Sequence, residues 1–384
     1  MSATTVPLPV AATRRLAGWL SPLGLSAAAL DDTLGWVNPM WRVHHLQARV
    51  IARQSETPSA CTLVLQVGAA FPRPTPGQFV IIGVTIDGVR HRRAYSPRAV
   101  KGRDDQIAIT VQRQPGGKVS TYLRDGLPVG SLVSIDPPAG DFVLSSPTPK
   151  RVLLIAGGSG ITPCMSMLQH LHATAPDTLV TLLYFARSTV DRIFAQELLG
   201  LSRVWRQLHY VPIDSMVHTP GQNDQHSQAA VASRELSPEL LDAACSEWRQ
   251  LPAYCCGPAP LMAAAKSLWQ AQAKPASLHL EAFAAPQASG DPDARHQVAL
   301  ARPHGQTDVS FVAAGNLSLL VAGEDAGHQI KHGCRQGICH ECTCRLKQGS
   351  VRDLISGERI DGEGQPIRLC VTSAMSDVEL ESMT

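Results

Sequence analysis

Three cysteines, Cys334, Cys339 and Cys342, fall within nine residues, and a fourth, Cys370, follows 28 positions later. No other feature of the chain restricts its folding as much. Three thiols on so short a stretch must share one tight loop, and the fourth must be brought to them from a separate element. A Cys-x4-Cys-x2-Cys run with a distant fourth member is the spacing that wraps the two irons of a [2Fe–2S] cluster. Gly337, inside the loop, lets the backbone come close enough for N–H groups to point at sulfur. Structural zinc is the rival reading, but it usually takes two Cys-x2-Cys knuckles, and Cys339/Cys342 is the one such pair. A Rieske centre needs two histidine ligands; His340 sits beside Cys339 with no second Cys/His loop to match it. Cys344 is off the pattern and reads as a free thiol.

The surroundings of the loop support a small domain from about His296. Residues 298–301 and 309–312 suit a hairpin across Gly305, and 317–326 a strand end and a helix leading into the loop. The tail resembles plant-type ferredoxins, particularly those fused to the C-terminus of a reductase. There a Cys-x-x-Gly-x-Cys-His-x-Cys loop runs into a Gly-x-Val segment, as Cys334 to Cys342 run into Gly349-Ser350-Val351. The resemblance implies a β-grasp fold, ligation by Cys334, Cys339, Cys342 and Cys370, and a potential of about −400 mV.

With 384 residues the chain has room for two or three cores. Its 34 basic and 32 acidic side chains argue against a general nucleic-acid binder. Residues 296–384 carry a net −3 and the remainder +5, a mild contrast that would help an acidic tail dock on a basic body. No apolar run reaches bilayer-spanning length. Arg14 and Arg15 are not followed by the apolar core of a secretory signal. Ten cysteines without a signal point to a reducing compartment. The expected location is cytoplasmic, peripheral to a membrane only through a partner.

Residues 1–40 form an N-terminal extension without identifiable chemistry; 13–29 suit a short amphipathic helix. Residues 41–147 show short β-type runs at 62–67, 79–84, 88–95, 107–112 and 131–135, broken by turns such as Pro72-Arg73-Pro74-Thr75-Pro76-Gly77. Such spacing predicts a small antiparallel β-barrel. Within it, Arg93-Ala94-Tyr95-Ser96 ends one run and Gly116-Gly117-Lys118-Val119-Ser120 follows another. Glycines free successive N–H groups to bind phosphate, and a helix starting near Ser120 adds its positive end.

From Lys150 the pattern changes. Val152-Leu153-Leu154-Ile155-Ala156 reads as a strand buried on both faces. A second run at 179–185, a third at 253–256, and helical stretches at 163–173, 191–199, 238–250 and 261–273 predict a parallel α/β domain over 148–283. Gly157-Gly158-Ser159-Gly160-Ile161-Thr162-Pro163 lies directly after the first strand and opens a helix, the context that makes a glycine run a dinucleotide site. Cys256-Gly257-Pro258 follows the third strand. A polar, Pro-rich tether at 284–295 leads to the cluster domain, 296–384.

Order and spacing resemble the ferredoxin–NADP⁺ reductase family. The resemblance implies that Arg93 pairs with a flavin phosphate, Tyr95 stacks on the ring and Ser96 bonds near N5. It gives the pyrophosphate loop to Gly117, Lys118, Val119 and Ser120, with FAD favoured over FMN. The nicotinamide falls to Gly157, Gly158, Gly160, Thr162, Pro163, Cys256 and Gly257, and Glu281 and Phe283 approach the flavin. Arg187 and Ser188, with Arg192 a further candidate, favour NADPH, with NADH the alternative. One departure stands out: Ser233-Arg234-Glu235, after a polar insert at 218–229, replaces the Gly-Arg or Gly-His turn of the family.

The implied activity is hydride transfer from the nicotinamide to the flavin and single-electron transfer to the cluster, with Ser96, Cys256 and Thr162 shaping the reacting gap. The implied acceptor is a terminal oxygenase, hydroxylase or, by preference, a fatty-acyl desaturase; an aromatic-ring or alkane oxygenase is the alternative. Two other classes remain: a cluster-based redox sensor, and a reductase that releases free reduced flavin.

Overall fold

The computed structural model describes residues 31, 33, 35–36, 38–42, 45–215, 235–272, 277–283, 290–302 and 308–383. The helix expected over 13–29, the insert at 218–229 with Ser233 and Arg234, the first half of the tether and the turn at Gly305 lie outside them. The chain divides into two units, Met1–Glu281 and Ala282–Thr384. Phe283, expected to close the α/β domain, falls in the second. No helix among the described residues is long and apolar enough to cross a membrane.

Seven antiparallel strands open the first unit: β1 (Gln47–Thr57), β2 (Ala60–Val67), β3 (Val80–Ile86), β4 (Val89–Tyr95), β5 (Pro97–Val100), β6 (Arg103–Gln112) and β7 (Leu132–Ile135). Their order is β4-β3-β7-β1-β2-β6-β5. β4 and β5 are thus the two edges of the sheet, yet Ser96 alone separates them in sequence. The sheet has to curl until its edges nearly meet, and Ser96 sits at the seam. The inward face is the alternate set: Leu63 pairs with Ile109 and Leu65 with Ile107, all buried beside Val50, Ile82 and Ile135. Each such side chain contributes roughly 1.5–3 kcal/mol. A short helix, α1 (Lys118–Thr121), drops Val119 into this core, and the wider turn after it adds Leu123.

The second half of that unit alternates β8 (Arg151–Gly157), α2 (Ile161–Thr174), β9 (Leu179–Ala186), α3 (Ala195–Val204), β10 (Leu208–Asp214), α4 (Pro238–Ala244), β11 (Ala253–Cys256), α5 (Ala259–Gln272) and β12 (Leu278–Glu281). The sheet is wholly parallel, ordered β10-β9-β8-β11-β12. Two of its strands, β10 and β12, were not expected. β10 carries Pro212 and a mostly half-exposed face, which demotes it to an edge strand, the position it holds. β12 is only four residues long. α3 begins at Ala195 rather than near Asp191, because Phe194 before it is left-handed (φ +61°). α2 is buried on most sides, since it lies between barrel strand β5 and the parallel strands β8 and β11.

The second unit holds β13 (Arg295–Ala301), β14 (Val309–Ala314), α6 (Leu319–Asp325), β15 (Thr343–Gln348), β16 (Ser350–Asp353), β17 (Arg359–Asp361), β18 (Pro366–Arg368), β19 (Thr372–Ala374) and β20 (Val378–Ser382). A mixed sheet β14-β13-β20-β15-β18 sets the first and last strands side by side and parallel, and a three-stranded sheet β17-β16-β19 flanks it. α6 crosses over the core: a Cβ on Gly323 would come within 2.3 Å of Ile330 and 3.1 Å of the Phe311 ring. This is the β-grasp arrangement.

Candidate functional site

The strand order of the parallel sheet reverses between β8 and β11, so their carboxyl ends flank a crevice of the kind that receives ligands in open α/β sheets. Ala156 pairs with Cys256 across that point. The two turns that follow are in main-chain contact. A Cβ on Gly160 would lie 2.0 Å from the Cys256 carbonyl oxygen, and one on Gly257 would lie 3.1 Å from Gly157 N. Gly160 has an ordinary helical φ of −62°, so space rather than conformation demands the glycine. α2 starts here without a side-chain cap, leaving its first N–H groups and its positive end for an anion. Pro163 removes a donor that lies in that uncapped first turn. Thr162 is buried, and its hydroxyl donates to Ser159 O at 3.0 Å. Tyr184 donates to Gly158 O at 3.2 Å and accepts from Ile193 N at 3.0 Å, pinning the glycine turn to the loop after β9.

Beneath the crevice lie three buried titratable groups. Cys256 is fully buried, and burial, then Glu281, Cys164 and Cys255, push its thiol well above the usual range. Glu281 is its β12 neighbour. Burial raises that carboxyl to about 8, and its Oε2 has no hydrogen-bond partner among the described residues. Cys164, one helical turn after Gly160, is buried with its thiol likewise pushed up. Burial thus favours the neutral form of all three groups.

At the barrel seam, Arg93 pairs with Ile82 and Tyr95 with Val80. Arg93 is half-buried and its Nη1 donates to Arg92 O at 2.7 Å. Tyr95 packs against the barrel core, and burial pushes its phenol up. Ser96 is 4 % exposed and its Oγ has no partner among the described residues. A buried hydroxyl left unpaired costs about 1–3 kcal/mol, so a ligand atom at this point is the ordinary way to satisfy it. The barrel and the dinucleotide turn meet here: Gln112 Oε1, at the end of β6, is 3.7 Å from the Cβ position of Gly158. α1 begins at Lys118, two residues before the expected Ser120. Ser120 Oγ accepts from Gln114 N at 3.0 Å and closes on Gly117 O at 3.3 Å, which shapes the loop, while Lys118 pairs with Asp87 at 3.0 Å. These features fit a flavin with its phosphates at a glycine loop.

Beyond β9, on the same sheet edge as Gly157, Arg187 is exposed and Ser188 donates to Asp191 at 2.7 Å. Arg192, the further candidate for a 2′-phosphate, is committed to Asp214 at 2.6 Å.

In the second unit the four thiols gather as two pairs, Cys334 with Cys339 and Cys342 with Cys370. Two and two is what two irons need. Within each pair one thiol is held low and its partner high. Cys334 is lowered by the Cys339 thiol and, against burial, by the N–H groups of Gln336, Ile338 and Cys339; Cys342 is lowered chiefly by Cys370. Gln336 N lies 3.3 Å from Cys334 Sγ and Cys334 N lies 3.2 Å from Cys339 Sγ. Gly337 (φ +76°) and Arg335 (φ +62°) make the loop's left-handed turns, which aim successive N–H groups inward. Arg335 is clamped by Glu324 and donates to His332 Nε2 at 3.0 Å. This donor set fits a [2Fe–2S] cluster. Cys344 is a separate buried thiol. Sequence reasoning missed Cys164, Tyr184, Glu324 and Arg368; Cys164, an i+4 neighbour of Gly160, was the only one with a usable signal.

Family models agree with this order of parts. The oxidoreductase FAD-binding domain matches residues 48–144, the oxidoreductase NAD-binding domain 154–267 and the 2Fe-2S iron-sulfur cluster binding domain 302–375. An "NADPH oxidoreductase" of Mycobacterium tuberculosis (strain ATCC 25618 / H37Rv) is 33% identical, over 91% of this chain and 88% of its own length. The ferredoxin reductase component of 3-ketosteroid-9-alpha-monooxygenase from M. tuberculosis (strain CDC 1551 / Oshkosh) is 30% identical over 80% and 87%. The fold matches phthalate dioxygenase reductase with a TM-score of 0.57 at 23% identity, covering 88% of this chain and 98% of that one. The chain belongs to the family of NAD(P)H oxidoreductases built from an FAD-binding domain, a nicotinamide-binding domain and a C-terminal [2Fe–2S] ferredoxin domain.

Proposed function

We propose that this reductase draws on NADPH and delivers electrons to a terminal oxygen-activating enzyme. The observation that carries the reading is the unpartnered, buried Ser96 hydroxyl at the barrel seam, in the same unit as the glycine turn and the uncharged Cys256 floor. Arg93, Tyr95, Ser96 and the 117–120 loop would hold the flavin. When bound, that flavin would accept one hydride, an electron pair, and release the two electrons singly, the exchange that a one-electron cluster requires. Ser96 supplies a hydrogen-bonding group at the seam. Cys256, kept as a thiol by burial, closes the pocket without adding charge. Thr162, its hydroxyl tied to Ser159, holds the first turn of α2 in shape for the nicotinamide end. Gly157, Gly158, Gly160 and Gly257 leave room for the dinucleotide, and Pro163 and Ser188 fix the turns beside it. Phe283, expected near the flavin, belongs to the second unit.

For the acceptor, the order of N-terminal extension, flavin, nicotinamide and cluster domains supports a fatty-acyl desaturase. The second reading, an oxygenase, is favoured by the relative whose name assigns it to a steroid monooxygenase. The test is anaerobic reduction by NADPH, following flavin and cluster absorbance, then turnover with a panel of desaturases and oxygenases. Cys339→Ser should still bleach the flavin but lose cytochrome c reduction by about 100-fold or more. Full cytochrome c activity in that variant would refute the conduit, as would turnover that survives deletion of residues 284–384.

A further inference from the structure

The cluster loop has a second face, away from its sulfurs. The N–H groups of Gln336 and Ile338 reach Cys334 Sγ, and that of Gly337 reaches Cys370 Sγ. In the middle of this set the Gly337 carbonyl points the other way and accepts from Arg368 Nη1 at 2.6 Å. That carbonyl and the Ile338 N–H are the two ends of one peptide unit. The guanidinium's other nitrogen, Nη2, lies 3.3 Å from Asp353 Oδ2. The pair is sheltered, with side chains 30% and 14% exposed. Asp353 is itself fixed, since its Oδ1 accepts from Ile355 N at 2.8 Å and Ser356 N at 2.9 Å.

We propose that Arg368 is a positioning residue that tunes the cluster, its charge acting through the Gly337–Ile338 peptide on the Cys334 sulfur, with Asp353 offsetting part of that charge. A cationic donor on a carbonyl polarises the whole amide and strengthens the hydrogen bond made by its N–H. A stronger N–H···S bond draws electron density from the thiolate, which favours the reduced cluster and raises its potential. Arg335, the other guanidinium on the loop, is ion-paired with Glu324 and donates to a histidine. Arg368 is the one whose donor meets a peptide shared with a ligand sulfur. Nothing in the Cys-x4-Cys-x2-Cys spacing selects an arginine two places before Cys370; the geometry does.

The inference rests on the four thiols holding a [2Fe–2S] cluster, which none of the variants below alters. The experiment is a mediated redox titration of the full-length holoprotein, read by the electron paramagnetic resonance of the reduced cluster and normalised to bound iron and sulfide. Arg368→Gln keeps a neutral donor and should move the midpoint negative by about a tenfold change in the one-electron equilibrium constant, about 59 mV. Arg368→Lys should recover more than half of that shift. Asp353→Asn should move the midpoint the opposite way. An iron-replete Arg368→Gln protein with the parent midpoint overturns the proposal. So do equal shifts in the Lys and Gln variants, because shape rather than charge would then be responsible. If Arg368→Gln does not retain iron, Asp353→Asn decides: a positive shift supports the relay, and an unchanged or negative one ends it. A parent protein without cluster signal would instead remove the ligation reading itself.

Discussion

Cys256 and Cys334 are both buried thiols, and their surroundings push them in opposite directions. Around Cys256 the neighbours are apolar or acidic, and nothing stabilises negative charge, so burial raises the thiol. Around Cys334 a partner thiol and three backbone N–H groups outweigh burial and lower it. Burial therefore does not decide a cysteine's state; the donors aimed at its sulfur do. The glycines differ in the same way. Gly160 is required because another main chain passes against it. Gly337 is required because its φ is +76°, and its nearest obstacle is the end of a valine side chain. One region is assembled from backbone on backbone, the other from side chains drawn to a curled loop.

Gly160→Ala is the severest test of that contrast. Its Cβ would meet the Cys256 carbonyl at 2.0 Å, and neither strand β11 nor α2 has slack to move. The loss should exceed about 4 kcal/mol, seen as failure of the first unit to fold or bind flavin while the cluster spectrum of the second persists. A variant with near-parent thermal stability would show that the two turns do not touch as described.

Glu281→Gln tests whether the crevice floor is dry. Burial pushes the native carboxyl up to about 8, against 4.5 for an ordinary glutamate. Well below pH 4.5 it is protonated folded or unfolded and has no effect. As pH rises toward 8 the unfolded chain releases a proton that the native state keeps, so native stability falls, and the full cost is present above 8. The glutamine variant lacks that decline. Its advantage over the parent should grow by on the order of 4 kcal/mol between pH 5 and 9, measured as denaturation midpoints. Parallel pH profiles would mean the carboxylate is solvated.

Gly337→Ala probes the other region. The left-handed backbone costs a non-glycine residue about 1–2 kcal/mol, and the Cβ, 2.8 Å from Val371 Cγ2, meets an atom that can give way. The expected loss is about 2 kcal/mol, with slower cluster uptake but a folded second unit. Complete unfolding would erase the distinction between the two kinds of glycine.

How much of this was legible in sequence follows the same division. The gathering of the four thiols was readable because thiol chemistry fixes residue type and spacing together. The glycine turns were readable because strand, turn and helix sit in order around them. β10 and β12 were not, since Pro212 and a four-residue length mask their pairing. Tyr184, Glu324 and Arg368 were not, because each acts by a tertiary contact that no local pattern encodes; Cys164 was overlooked although it stands one helical turn after Gly160. Ser96 was visible only by resemblance; its place between the two sheet edges is a consequence of strand order.

Coenzyme choice is the smallest effect, and it asks whether side chains rather than backbone control the far end of the first site. Arg187 is exposed at the carboxyl edge of β9, whereas Arg192 is held by Asp214 and Ser188 by Asp191. A guanidinium with no ion pair among the described residues suits a 2′-phosphate, which only NADPH carries. Arg187→Ser should raise KM for NADPH about 10-fold, worth about 1.4 kcal/mol, and leave KM for NADH and kcat with either coenzyme nearly unchanged. Equal losses for both coenzymes would place Arg187 on a phosphate they share. A change confined to Arg192→Ser would show that the Asp214 pair opens to admit the ligand, and the discriminating contact would then be Arg192 rather than Arg187, further along the loop after β9.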